Sequence, residues 1–155
     1  VDKKNPRGAI IPTELGKAYT REWRGKPPHM LDVDVPIWWR FLEKWGFQLM
    51  KIYYDCLLGG PIYTAEQMKD PMLRMWRKNL AKRADAIAEL EDQVWIIEVA
   101  QSPGLRALGQ LQTYRALWVR DPKIAKPEKP ILVCDILDPD LAQAVSMYGI
   151  SIFAV

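Results

Sequence analysis

At 155 residues, 49% of them hydrophobic, the chain has the length of one domain and enough apolar material for one core. Its formal charge of +3, from 22 Lys and Arg against 19 Asp and Glu, allows contact with nucleic acid without demanding it. A single histidine, His29, excludes His-rich zinc sites and argues against a Ser-His-Asp mechanism. Cys56 and Cys134 stand alone with no CxxC spacing, which suits a reduced, cytoplasmic setting. No apolar run approaches the length of a membrane span and no signal peptide opens the chain, so a soluble protein with no membrane partner is expected.

Residues 1–34 read as an extended basic arm. Pro6, Pro12, Pro27 and Pro28 punctuate it, and only Thr13 to Trp23 has the composition of a short helix. Lys3, Lys4, Arg7, Lys17, Arg21, Arg24 and Lys26 face three acids within the first 30 residues, a surplus larger than the net charge of the whole chain. Such a segment cannot build a core of its own. It is expected either to fold back on the domain or, as the leading reading, to dock on other protein chains of an assembly, and its basic residues are the candidates for binding a partner or DNA.

Residues 35–155 are regular. Pro36 suits the first turn of a helix that runs to Trp45 and stops at Gly46, with Ile37, Phe41 and Leu42 on one face. Phe47 to Asp55 reads as a strand broken by Gly59-Gly60-Pro61. Glu66 to Asn79 reads as a helix interrupted at Pro71, with Met68, Met72, Met75 and Trp76 at helical spacing. A hairpin follows, then a helix from Leu105 to Trp118 with Leu108, Leu111, Leu117 and Trp118 as its buried stripe. Ile131 to Ile136 has the continuous apolar character of a strand covered on both faces. Asp138-Pro139 caps a helix that Gly149 ends, and Ile150 to Val155 forms a last strand.

The hairpin carries the chemistry. Lys82 to Leu90 and Val94 to Ala100 flank a turn at Glu91-Asp92, and that register sets Asp85 opposite Glu98 and Arg83 opposite Ala100. Facing side chains start about 5 Å apart, a spacing that one hard divalent cation could bridge. Without a counter-charge the two acids repel.

An Asp on one strand, a Glu-x-Lys on the next and a helix bearing Gln-x-x-x-Tyr resemble the PD-(D/E)xK nuclease superfamily. Here the matching residues are Asp85, Glu98-Val99-Ala100 and Gln110 with Tyr114, and the resemblance spans about residues 36 to 155. It implies an α/β (α+β) fold: a mixed central sheet flanked by helices. Asp85 and Glu98 would be the metal ligands, with Mg²⁺ polarising a phosphodiester for attack by water. The chain departs from the family at one position, since Ala100 stands where the family carries its catalytic Lys. Arg83 on the same face could grip a phosphate or neutralise the acids, but its high pKa denies it the role of base.

The expectation is therefore a degenerate nuclease fold that binds no cofactor and serves as a structural component of a larger assembly. A phage head–tail (neck or connector) protein of the virion, close to packaged DNA, matches the arm and the mild basicity. The alternative is a Mg²⁺-dependent DNA endonuclease or exonuclease with a substituted site, and a third reading is a non-enzymatic DNA-binding module. Against all three stands the plain reading, in which Asp85, Glu98 and Arg83 form a structural ion-pair network and Gln110 and Tyr114 are ordinary helix residues.

Overall fold

The computed structural model describes residues 9, 10 and 13–155. In chain order the elements are β1 (Ala9–Ile10), β2 (Ala18–Tyr19), α1 (Val35–Trp45), β3 (Lys51–Tyr53), β4 (Tyr63–Thr64), α2 (Pro71–Leu80), β5 (Ala86–Glu89), β6 (Val94–Ala100), α3 (Leu105–Arg120), β7 (Glu128–Cys134), α4 (Pro139–Met147) and β8 (Ser151–Ala154). Six strands form one mixed sheet in the order β2-β3-β5-β6-β7-β8, antiparallel as far as β6 and parallel from there to β8. A separate two-stranded ribbon joins β1 to β4.

Strand alternation decides which side chains meet which helices. On β6, Trp95, Ile97 and Val99 face α1, where they share a core with Trp38, Phe41, Ile52 and Ile131. Val94 and Ile96 face the other way and pack with Ile87, Tyr114 and Trp118. Leu111, Leu132, Leu141 and Val145 continue that second layer between α3, β7 and α4. The result is a mixed α/β sandwich with α1 on one face and α3 and α4 on the other.

Local chemistry explains most boundaries. Pro36 and Pro71 sit in the first turns of α1 and α2, where a missing N–H costs nothing. Asp70 caps α2 by accepting from Met72 N–H, and Asp138 caps α4 by accepting from the N–H groups of Asp140 and Leu141. Gly149, at φ +72°, then turns the chain out of α4 into β8.

Two expectations are corrected. The strand expected over 47–55 shrinks to β3, because a 3₁₀ turn over Gly46–Gln48, closed by Leu49 N–H on Gly46, follows α1 directly. No helix forms between Thr13 and Trp23, since Gly16 adopts φ +75° and breaks the helical path. Glu14 instead bridges Leu57 and β2 adds an edge to the sheet. The sequence left the direction of the α2 stripe open, and it faces outward, with Met72, Met75 and Trp76 all exposed.

The described part of the arm folds back on the domain. Thr13 is buried and its N–H donates to Asp121 at 3.0 Å. Tyr19 and Trp23 pack against Tyr54, and Met30 joins the α1 core. Lys3, Lys4 and Arg7 lie outside the described residues.

Candidate functional site

The hairpin has the expected register. Ala86 faces Ile97, Ala88 faces Trp95, and Leu90 N–H donates to Gln93 across a two-residue turn. The backbone ladder stops at Ala86, however, while β6 continues along β7 to Ala100. Beyond that point Val99 N–H has no strand carbonyl to meet on the β5 side. The Asp85 carboxylate takes its place, with Oδ2 accepting from Val99 N–H at 2.7 Å. The Asp85 N–H, freed in the same way, donates to Glu98 Oε1 at 3.2 Å. Two carboxylates thus close the open end of the ladder and lie against each other.

Alternation points Glu98 to the α3 side of the sheet, alongside Ile96, and there Tyr114 is buried against the pair. Burial raises the Glu98 carboxyl far above the usual carboxylate range, and the neighbouring Asp85 charge raises it further. Burial raises Asp85 as well, against the pull of the Val99 N–H. Both carboxyls are thus pushed toward the protonated form, Glu98 further than Asp85. The Tyr114 hydroxyl is pushed up to about 12 by burial and then by the charges of Glu98 and Asp85. Gln110 Nε2 donates to the Tyr114 hydroxyl at 3.3 Å, so the Gln-x-x-x-Tyr pair is one connected unit beside the acids.

A third carboxylate, missed in the sequence, completes the cluster. Asp34 precedes α1 but makes no side-chain cap to its own helix; it is buried, and its Oδ1 accepts from Gln101 N–H at 3.1 Å, one residue beyond β6. Burial raises its pKa, and its charge in turn raises both Asp85 and Glu98. The Asp34-Val35-Pro36 string signals a helix start. Nothing in it reveals that the helix begins at the end of β6.

Arg83 does not face Ala100. The chain bends at Asp85, and Arg83 Nε is instead bound to Asp55 Oδ1 at 3.1 Å, where His29 Nε2 also sits at 2.7 Å. The expected Arg83–Asp85–Glu98 network is absent among the described residues: no Lys, Arg or His there pairs with Asp34, Asp85 or Glu98. Lys82, the nearest lysine in sequence, donates its ammonium to the carbonyl of Leu80.

Arm residues are spent locally. Lys17 lies 4.9 Å over the Tyr19 ring, and Lys26 pairs with Asp32 at 2.6 Å. Arg21 binds Glu22 and the carbonyl of Phe47, and Arg24 binds the carbonyls of Arg21 and Trp23. None of the four meets the carboxylate cluster among the described residues.

Two neighbouring carboxylates suit a hard cation that completes its shell with water or phosphate oxygens. Among the described residues no group of three or more His, Cys, Asp or Glu is placed to hold a metal ion, so such a cation would rest on Asp85 and Glu98 alone. No described helix is long and apolar enough to cross a membrane. Compared with known proteins, the chain matches no family model, no curated protein and no solved structure.

Proposed function

We propose that the protein is a nuclease-type domain of PD-(D/E)xK character that no longer hydrolyses DNA and acts as a structural component of a larger assembly, such as the neck of a phage virion. The observation that carries this reading is the environment of the carboxylate pair. Ala100 offers a methyl group where a lysine would be needed, and Arg83, the guanidinium nearest to Asp85 in sequence, is held by Asp55. Hydrolysis of a phosphodiester needs an attacking water that loses its proton. Of the side chains around the pair, Tyr114 is raised to about 12 and burial pushes Glu98 toward its protonated form, which counts against either as a base near neutral pH.

One observation favours the alternative, a Mg²⁺-dependent DNA nuclease. Two buried carboxylates, Asp34 and Glu98, and the half-buried Asp85 interact without a basic partner among the described residues, and a divalent cation would relieve their repulsion. In that case Asp85 and Glu98 would hold Mg²⁺, which would supply Lewis-acid polarisation of the phosphate. Plasmid and linear DNA incubated with the native protein and Mg²⁺ or Mn²⁺ separate the two. Intact DNA is expected; cleavage that disappears in Asp85→Ala would overturn the proposal.

A further inference from the structure

Helix α2 is amphipathic in the wrong sense for a helix that merely covers a core. Its one buried side chain is Arg77, 1% exposed, whose Nε donates to Glu14 at 3.1 Å and whose guanidinium also donates to the Gly59 carbonyl at 2.8 Å. Apart from the half-buried Leu73, the apolar side chains lie away from it. Met72, Met75 and Trp76, three and four residues apart, share one face and are 62%, 55% and 51% exposed. Leu80 extends the stripe by a further turn. An amphipathic helix ordinarily turns its apolar stripe inward. Here the domain takes the polar side and presents the apolar one.

What surrounds the stripe selects its occupant. Arg77, Arg83 and Lys69 are paired with Glu14, Asp55 and Glu66, while Arg74, Lys78 and Lys82 have no acidic partner among the described residues and leave the surroundings of α2 positively charged. Lys78 borders the stripe on the Met75 side, with Arg74 next to it, and both are exposed. Beside Met75, on the Arg74 and Lys78 side of the helix, opens a concave, part-apolar cleft of about 550 Å³ lined also by Leu57, Met68, Pro71 and the Arg77–Glu14 pair. Methionine, tryptophan and arginine are the residues over-represented in protein interfaces, and methionine adapts to the shape of an inserted side chain. A recess suits an inserted side chain better than the flat face of a lipid bilayer, and an exposed stripe with two cations on one side offers little to a phosphate backbone.

We infer that the exposed face of α2, with the cleft beside Met75, docks a protein segment that carries apolar side chains within an acidic rim. A second copy of this chain brings the same basic surplus and is opposed by like charge. This inference rests on the assembly reading and supplies the contact that reading needs, at a surface separate from the arm.

The test uses the full chain and a labelled synthetic helical peptide with Leu and Phe at every third and fourth position and Asp or Glu elsewhere, followed by fluorescence anisotropy. Binding is expected to weaken with salt, to be absent for the same peptide built with Lys, and to fall about tenfold or more in Met72→Glu/Trp76→Glu. Both substitutions fall on exposed positions, and thermal melting confirms the fold. Several results would each overturn the inference: no peptide binding, equal binding of the Lys peptide, binding untouched by the double substitution, or a variant-sensitive preference for anionic vesicles, single-stranded DNA or self-association. Acidic-peptide binding that emerges only on removal of residues 1–8 would likewise overturn it, by making the chain's own N-terminal segment the occupant. DNA cleavage by the native protein would count against the proposed function alone, and a failed peptide titration against this surface alone.

Discussion

Asp85 and Glu98 are bound to each other through the backbone as well as face to face. Asp85 N–H donates to Glu98 at 3.2 Å, and the Asp85 carboxylate accepts from Val99 N–H, next to Glu98, at 2.7 Å. Each acid satisfies a backbone group that the end of β5 leaves open, so the pair is part of the sheet before it is part of any chemistry.

The first consequence concerns stability. Val99 is buried, and an N–H left there without an acceptor costs about 1–3 kcal/mol. Asp85→Ala is expected to lose that amount in urea unfolding, whereas Asp85→Asn, which keeps an acceptor oxygen, loses much less. Equal losses in the two variants would show that the Val99 contact contributes little.

The pair also makes stability depend on pH. Both carboxyls have folded pKa values raised above the unfolded ones, Glu98 by burial and then by Asp85, Asp85 by burial. The folded state keeps protons that the unfolded chain releases. The contribution is therefore fully present below the ordinary carboxylate range, near about 4, and is lost as pH rises through the raised values. Glu98→Gln retains an oxygen for Asp85 N–H and removes the penalty. Its melting temperature is expected to exceed that of the native protein at about pH 8 and to converge with it at about pH 5. A variant less stable than native at the higher pH would contradict this.

Arg77 fastens α2 to the domain. Replacing it with Ala strands a half-exposed Glu14 and an unpaired Gly59 carbonyl, at an expected cost of about 2–3 kcal/mol. Arg77→Lys restores at most one of the two contacts, because a single ammonium lacks the guanidinium fork. Urea unfolding of both variants measures the difference.

Tyr54 ties the N-terminal segment to the core. It accepts from Trp38 Nε1 at 3.0 Å, and its ring lies 5.1 Å from Tyr19 and 5.6 Å from Trp23. Tyr54→Phe keeps the ring contacts and strands a buried indole N–H, costing about 1–3 kcal/mol. Tyr54→Ala also removes the seat of Tyr19 and Trp23, so limited proteolysis should cut between residues 13 and 34 in that variant and spare them in Tyr54→Phe.

Much of this was legible in the residues. Alternation and the Glu91-Asp92 turn fix the β5–β6 register, and Pro, Gly and Asp signals mark α1, α2 and α4, because these are local effects of backbone geometry. The carboxylate pair follows from register alone. The position of Arg83 does not, since a bend at Asp85, stabilised by the two acids themselves, takes residue 83 out of register and leaves it to Asp55. Asp34 was equally hidden: its role depends on where the first helix meets the end of β6, a contact 67 residues apart in the chain. The outward stripe of α2 escaped the reading because helical spacing gives the face of a side chain but not the direction in which the domain lies. Glu14 and the Gly59 carbonyl, distant from Arg77 in sequence, decide that direction.

The central claim is that the site is of nuclease type and lacks only its base. Ala100 lies on β6 two residues beyond Glu98 and so on the same face of the strand, which places a lysine introduced there beside the carboxylate pair. The most direct measurement is Mg²⁺-dependent cleavage of plasmid DNA by Ala100→Lys, run beside the native protein and Ala100→Lys/Asp85→Ala. The account predicts cleavage by Ala100→Lys alone, abolished by the second substitution. An inert Ala100→Lys that folds like the native protein, or a native protein that cleaves as well as the variant, would contradict it.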